Sequence, residues 1–158
     1  MVPRIIVTGV RELTIRPLAE ADRAAWEPLW AGYAAFYKAA IPAEITELTW
    51  RRFHDPAEPM NALGCFADGE LRGIVHYIFH RSCWTEGPYC YLQDLFTDPE
   101  FRGGGIGRSL IEAVYARAAE AGASRVYWLT HETNRTAMEL YDKVAERTGF
   151  VQYRKLLK

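Results

Sequence analysis

Four glycines stand between two arginines in the second half of the chain, and this arrangement is typical of a phosphate-binding turn. The run is bounded by Arg102 and Arg108, and its glycines are Gly103, Gly104, Gly105 and Gly107. Glycine lets the backbone turn tightly and lets N–H groups approach a ligand that a Cβ would exclude. A helix that begins after such a turn adds free N–H groups and the positive end of its dipole. The spacing therefore predicts an anion site in which the two arginines contact further phosphate oxygens.

The glycine run does not match the two best-known nucleotide loops. A Walker loop, G-x-x-x-x-G-K-[ST], requires Lys followed by Ser or Thr, and that pair does not follow these glycines. A dinucleotide fingerprint, G-x-G-x-x-G, requires a third glycine where this chain has Arg108 or Leu110, and it requires an alternating βαβ beginning. The remaining pattern is Arg-x-x-Gly-x-Gly, with an ordinary glycine-rich turn as the alternative.

Hydrophobic periodicity predicts an α+β fold in which a strand enters the glycine run and a helix leaves it. Residues 89–97 have the pattern of a strand, whereas apolar residues recur at three- and four-residue intervals from Ile106 until Gly122. The other predicted strands are 12–16, 62–67, 71–81, 125–130 and 150–157, and the other predicted helices begin near 21, 46 and 134. The order β-α-α-β-β-β-α-β-α-β predicts one mixed central sheet flanked by about four helices.

The composition is that of one ordinary domain, expected to span residues 1–158. The chain is 49% hydrophobic and 25% charged, and 19 Lys and Arg against 20 Asp and Glu leave a net charge of −1. A nucleic-acid-binding protein would usually have a basic excess. Three cysteines without C-x-x-C spacing indicate a reducing compartment and neither a disulfide framework nor a zinc site. Without a signal-peptide core or a membrane-spanning apolar run, we expect a cytoplasmic protein with no nucleic-acid, membrane or metal partner.

Several segments together resemble the GNAT superfamily of acetyl-CoA-dependent N-acetyltransferases. The run from Arg102 to Gly107 is similar to the pyrophosphate-binding motif of that superfamily. Residues 91–97 resemble its preceding strand, residues 134–141 resemble its later helix, and residues 15–22 resemble the way these chains begin. The resemblance covers nearly the whole chain in the right order. Within the superfamily it is closest to the polyamine/diamine acetyltransferases and to the yeast histone-and-polyamine acetyltransferase branch.

This resemblance implies acetyl-CoA as the cosubstrate and assigns residues to it. The amides implied to hold the pyrophosphate, beside Arg102, are those of Gly103, Gly104, Gly105, Ile106, Gly107 and Arg108. The pantetheine arm is implied to pair like an extra strand with Leu95, Phe96 and Thr97, through backbone groups that are largely indifferent to side chain. Asn134 corresponds to a position whose side chain contacts CoA, and a simple helix N-cap is the equally weighted alternative.

Tyr141 and Gln93 occupy the positions of the two proton-transfer groups. The resemblance implies that Tyr141 is the general acid that protonates the CoA thiolate, with a core aromatic as the alternative. Polyamine-acetylating relatives carry glutamate where this chain carries Gln93, and an amide cannot take the proton of an ammonium group. Alternation places Tyr91, Gln93 and Leu95 on one face of the strand and Asp94 on the other, which favours a structural role for Asp94. The other candidate bases are Tyr91, His76, His80 and His131.

The expected reaction is acetyl transfer from acetyl-CoA to a primary amine by direct attack in a ternary complex. The missing glutamate and the near-neutral charge weaken the attraction for a polycation. The candidate acceptors are therefore small amines and amino acids as well as polyamine-like compounds. Aromatic residues of the first helix either shape the acceptor pocket or form its core: Trp26, Trp30, Tyr33, Phe36 and Tyr37. The alternatives are a protein- or histone-type lysine acetyltransferase and a CoA-binding sensor that has lost catalysis. A homodimer is expected from the resemblance.

Overall fold

A computed structural model describes residues 4–7 and 11–157, and the chain falls into two units, residues 1–128 and 129–158. In the first unit the strands form one six-stranded sheet in sequence order. They are β1 (Arg4–Val7), β2 (Arg11–Pro17), β3 (Met60–Ala67), β4 (Glu70–His80), β5 (Tyr89–Thr97) and β6 (Val126–Tyr127). Neighbouring strands are antiparallel except β5 and β6, which are parallel. The predicted mixed sheet of an α+β fold is confirmed.

Three helices belong to the first unit, and they cover both faces of its sheet. They are α1 (Arg23–Phe36), α2 (Ala43–Phe53) and α3 (Ile106–Glu120). Consecutive residues of β4 face different helices: a Cβ at Gly73 would meet Ile106 of α3, whereas Ile74 is buried in one cluster with Trp26 of α1. Helix α3 also supplies the crossover that a parallel β5–β6 pair requires. The second unit contains α4 (Arg135–Val144), the fourth predicted helix.

The two faces of the sheet have different cores. On the α1 side the core is aromatic, because the Trp26 ring centroid lies 5.8 Å from that of Trp30 and 4.7 Å from that of Trp50. On the α3 side it is aliphatic and consists of Ile106, Leu110, Ile111, Val114 and Ala118. Of the aromatic residues predicted in the first helix, Trp26 and Trp30 therefore belong to the core. Phe36 and Tyr37 are exposed at the end of α1.

The strand predictions at the two ends of the chain need correction. Residues 145–157 contain no strand, so the prediction of a closing strand over 150–157 is wrong. Alternation shows only that a segment can present one apolar face, whereas a strand exists when its N–H and C=O groups pair with a neighbour. The strand predicted over 125–130 is limited to Val126–Tyr127, which pair with Cys90 and Tyr91. Strand β1 was not predicted, because four residues carry too short a pattern.

The burial of two cysteines predicts selective labelling of the third. Cys65 and Cys90 are fully buried, and burial raises the pKa of each thiol to about 11, whereas Cys83 is exposed. Because the thiolate is the reactive form, iodoacetamide at pH 8 should modify Cys83 alone in the native protein. Mass spectrometry should then find one adduct before and three adducts after addition of denaturant. Rapid formation of a second adduct on the native protein would contradict the burial.

Candidate active site

The glycine run forms the turn between β5 and α3. Gly103 and Gly105 have φ angles of +80° and +83°, in the left-handed region that residues with a side chain rarely adopt. No heavy atom lies within 4 Å of the place where a Cβ would stand at either glycine, so the space beside them is open. The Ser109 N–H donates to the Gly105 C=O at 3.0 Å, and the N–H groups of the three preceding helical residues therefore have no partner inside α3. This is the geometry that the predicted anion site requires.

The entrance of the glycine loop is fixed to β4 by a carboxylate. Asp98 accepts from the backbone N–H of Glu100 at 3.1 Å and from Nη1 of Arg72 at 3.1 Å. The Arg72 guanidinium also lies over the Phe101 ring, 4.3 Å from its centroid. Because these contacts join the loop to an interior strand, the loop is positioned before any ligand arrives.

Each arginine that brackets the glycine run already contacts the protein. Nε of Arg102 donates to the C=O of Thr97 at 3.4 Å, and Nε of Arg108 lies 2.9 Å from a carboxylate oxygen of Glu112. The second contact is an exposed i,i+4 ion pair, and such pairs contribute only about 0.3–0.5 kcal/mol. A phosphate group that binds at the start of α3 can therefore replace Glu112 as the partner of the Arg108 guanidinium, at little cost in free energy.

Strand β5 has an open edge next to the glycine loop. β6 pairs with β5 only at Cys90 and Tyr91, and no other strand of residues 4–7 and 11–157 pairs along that side. Residues 95–97 lie on the open stretch, and the Phe96 side chain is buried in the cluster that contains Trp26. What remains at the edge is backbone N–H and C=O, which an extended ligand can bind as an added strand.

Gln93 is an extra residue in β5. His76 pairs with Asp94 and the next residue of β4, Tyr77, pairs with Leu92, so Gln93 has no partner in the ladder. Such a β-bulge interrupts the alternation of side chains. Ile78 pairs with Tyr91 and lies two residues from His76, so Tyr91 and Asp94 occupy the same face. The prediction that alternation separates Tyr91 from Asp94 is therefore wrong.

Asp94 is the end of a buried chain of three hydrogen-bonded side chains. Nε1 of Trp26 donates to Nε2 of His76 at 3.0 Å, and Nδ1 of His76 lies 3.0 Å from Oδ2 of Asp94. The exposed fractions of the three residues are 0%, 2% and 8%. Because an indole nitrogen only donates, Nε2 of His76 accepts, and the neutral imidazole then carries its proton on Nδ1 and donates it to Asp94.

Three tyrosines face this carboxylate. Tyr33 lies on α1, Tyr37 directly follows the last residue of α1, and Tyr91 lies on β5. Burial is the main cause that raises the pKa of all three phenols, and the negative charge of Asp94 is the second cause. The phenols therefore remain neutral at physiological pH and add no negative charge of their own.

The sequence model of the Acetyltransferase (GNAT) family matches residues 19–145, which include the glycine loop, the bulged strand and α4. The chain belongs to the GNAT family. Its membership makes it an acetyl-CoA-dependent N-acetyltransferase, as the sequence predicted.

Two curated relatives confirm the branches predicted within the GNAT family. The chain is 36% identical over 145 residues to the D-amino-acid N-acetyltransferase HPA3 of Saccharomyces cerevisiae, and the match covers 90% of both chains. It is 37% identical over 92 residues to the thialysine N-epsilon-acetyltransferase of Sus scrofa, a match that covers 58% of this chain and 49% of that protein.

Solved structures confirm the GNAT fold. An aminoglycoside acetyltransferase, meta-AAC0020, from an uncultured soil metagenomic sample has a TM-score of 0.77 and 22% identity, over 92% of this chain and 97% of that one. The acetyltransferase AAC(6')-Iy, in complex with the bisubstrate analogue CoA-S-monomethyl-acetylneamine, has a TM-score of 0.78 and 19% identity, over 92% and 99%. At sequence identities this low, the similarity shows a shared fold and nothing further.

The second unit contains Asn134 and Tyr141, two of the residues predicted for this GNAT acetyltransferase. Asn134 occupies the N-cap position of α4, but its side chain makes no capping bond, and Nδ2 donates to Oγ1 of Thr130 at 3.1 Å. Tyr141 lies on α4 and is partly buried. The CoA contact of Asn134 and the acid role of Tyr141 stay predictions.

A separate groove of about 580 Å³ lies beside α1 and α2. Arg23 of its lining pairs with Glu27 at 3.3 Å and with Glu47 at 2.8 Å. Within residues 4–7 and 11–157, no three His, Cys, Asp or Glu side chains converge in the manner of a metal site, and no helix is long and apolar enough to cross a membrane.

Proposed function

We propose that this GNAT acetyltransferase transfers acetyl from acetyl-CoA to the primary amine of a small molecule by direct attack in a ternary complex. The observation that carries the proposal is that the open edge of β5 runs directly into the glycine loop at the start of α3. One ligand with an extended arm and an anionic group can therefore bind both features at once. Acetyl-CoA has both parts.

The cosubstrate is held mainly by backbone. Its pyrophosphate accepts from the N–H groups at the start of α3 and in the loop before it, and the positive end of the helix dipole favours the negative charge. Arg102 and Arg108 supply additional donors. The pantetheine arm pairs with residues 95–97 of β5, whose side chains need not match the ligand. A chain with a net charge of −1 can bind this anion because the positive potential is local.

The chemical step needs a polarised carbonyl and two proton transfers. Gln93 contributes through its backbone, because the bulge leaves that residue outside the β4–β5 ladder and its N–H can stabilise charge on the thioester oxygen. Tyr141 donates a proton to the departing CoA thiolate, as the GNAT resemblance implies, and Asn134 contacts CoA. The exposed amide side chain of Gln93 is not a base.

The acceptor is a small amine in this proposal. The yeast relative acts on D-amino acids and the mammalian relative on thialysine, as their names state, and both substrates carry a primary amine. The aromatic side chains at the exposed end of α1 suit an acceptor with an apolar body. A single domain in the cytoplasm, a homodimer, and the lack of a nucleic-acid, membrane or metal partner stay predictions.

The proposal is tested by measuring the release of free CoA thiol over a panel of acceptors. The panel contains D- and L-amino acids, thialysine, short diamines, polyamines and a basic histone-type peptide. We expect turnover of the small amines, with intersecting initial-velocity lines that indicate a ternary complex. Parallel lines would contradict direct attack. Turnover of the peptide alone would favour a protein acetyltransferase, and saturable CoA binding without any turnover would favour a sensor.

A further inference from the structure

We infer that Asp94 is the group that binds the acceptor ammonium and takes its proton, and that His76 and Trp26 are the positioning residues that hold it. This inference rests on the proposed function, since it assigns the general base of that reaction. It addresses the position left open by Gln93, whose amide cannot accept the proton.

The first support is that the Asp94 carboxylate has no permanently charged cation beside it. Among the residues that the structure describes, His76 is the only basic side chain within ion-pair distance of Asp94, and the Trp26 indole requires that imidazole to be a neutral donor. The hydrogen bond from His76 partly offsets the cost of burying the carboxylate. A substrate ammonium would supply the missing positive charge.

The second support is access. One-tenth of the Asp94 side-chain surface is exposed, compared with 3% for His76, so the carboxylate is the member of the chain that a ligand can reach. The titratable groups that face it are His76 from β4, Tyr33 from α1, Tyr37 directly after α1, and Tyr91 from β5. Because the phenols are neutral at physiological pH, the subsite carries a single negative charge, which suits one ammonium group flanked by aromatic rings.

The third support is the position of Asp94 next to the bulge. Gln93 is the unpaired residue of β5, and Asp94 is the first residue that pairs again with β4. A carboxylate at this point adjoins the strand edge to which we assign the pantetheine arm. The amine that it binds would therefore arrive close to the thioester, on the face of the sheet covered by α1.

The proton and electron balance of the step is as follows. An N–H bond of the ammonium breaks, its proton goes to the Asp94 carboxylate, and the electron pair stays on nitrogen. That pair forms the C–N bond with the thioester carbon, and the C–S bond breaks as the tetrahedral adduct collapses. The thiolate gains a proton from the proposed acid, and the nitrogen of the adduct loses its second proton, which restores that acid, so that the nitrogen becomes an amide. Asp94 returns its proton to water.

The first experiment compares Asp94→Asn with Asp68→Asn. The asparagine keeps the size of the carboxylate but removes its charge, so kcat/KM for the amine should fall by about 10²–10⁴-fold. CoA affinity measured by calorimetry should be unchanged. Asp68 lies in the β3–β4 turn, where asparagine also tolerates the positive φ of 52°, and Asp68→Asn should retain wild-type kinetics.

The second experiment tests the positioning role of Trp26 through the pH profile. In Trp26→Phe the indole N–H is lost, so Nε2 of His76 becomes free to take a proton, and a cationic His76 would then compete with the substrate for Asp94. The acidic limb of the kcat/KM profile should move to higher pH, with activity retained above it. Trp50→Phe, in the same cluster but without a bond to His76, should leave the limb unchanged. If the acidic limb of the kcat/KM profile does not move in Trp26→Phe, or if it moves equally in Trp50→Phe, the positioning role of Trp26 is refuted.

The outcomes separate this inference from the proposed function. If the wild-type enzyme releases no CoA thiol with any amine, the proposed function fails. If the wild type turns over and Asp94→Asn is equally active, the assignment of Asp94 alone is overturned. If CoA affinity also falls in Asp94→Asn, the carboxylate has a structural role in the cosubstrate site, which likewise overturns the inference.

Discussion

Gly105→Glu should abolish measurable CoA binding while leaving the chain folded. The backbone at Gly105 has φ +83°, and the Cβ direction points into open space next to the free N–H groups of α3. A glutamate there would occupy the space assigned to the pyrophosphate and place a second negative charge within a few ångströms of it. At partly exposed sites such a repulsion is on the order of a few kcal/mol, so we expect at least about a hundredfold weaker binding in calorimetric titration.

The matched control for this substitution is Gly69→Glu. Gly69 has φ +84° and equally open surroundings, but it lies in the turn between β3 and β4. Both variants therefore place a glutamate at nearly the same positive φ and add the same charge, at different positions. The control should bind CoA like the wild type. Wild-type affinity in Gly105→Glu would show that the pyrophosphate does not lie on this loop.

Tyr141→Phe should lower kcat by about 10²–10⁴-fold with little change in the KM for acetyl-CoA. The substitution removes only the phenol oxygen, so the departing thiolate loses its proposed proton donor while the ring remains. Steady-state kinetics with the best acceptor of the panel measure the effect. Tyr153→Phe is the control, because Tyr153 belongs to the same unit and is 93% exposed. Full activity of Tyr141→Phe would mean that the thiolate leaves without help from this residue.

The parts of this enzyme that the sequence predicts are those determined by local chemistry. The glycine loop follows from residues 102–108 alone, because positive φ angles at Gly103 and Gly105 and the start of α3 need no distant partner. The helices follow from their apolar spacing in the same way. The family was also predicted, because its motifs lie in short segments of the chain.

The parts that escaped prediction depend on pairing between distant segments. Trp26 lies 50 residues from His76, and His76 lies 18 residues from Asp94, so their hydrogen bonds exist only in the folded sheet. Each residue was noticed for its type, but nothing in the spacing joins them. The extra residue at Gln93 has no signature of its own, since a bulge is defined by the partner strand. The closing strand failed for the same reason, because it depends on a partner that alternation does not reveal.

The extra residue of β5 also makes position 93 structurally tolerant of substitution. Gln93 forms no ladder pair and its side chain is exposed, so an exchange there disturbs neither the sheet nor the core. Asp94, one residue later, is hydrogen-bonded to the buried His76 and carries the proposed base function, so an exchange there would lose both. A lineage can thus gain or lose a glutamate at the first position while the second is kept. The preference for doubly or singly charged acceptors could then change through a single substitution at position 93, with no compensating change elsewhere in the enzyme.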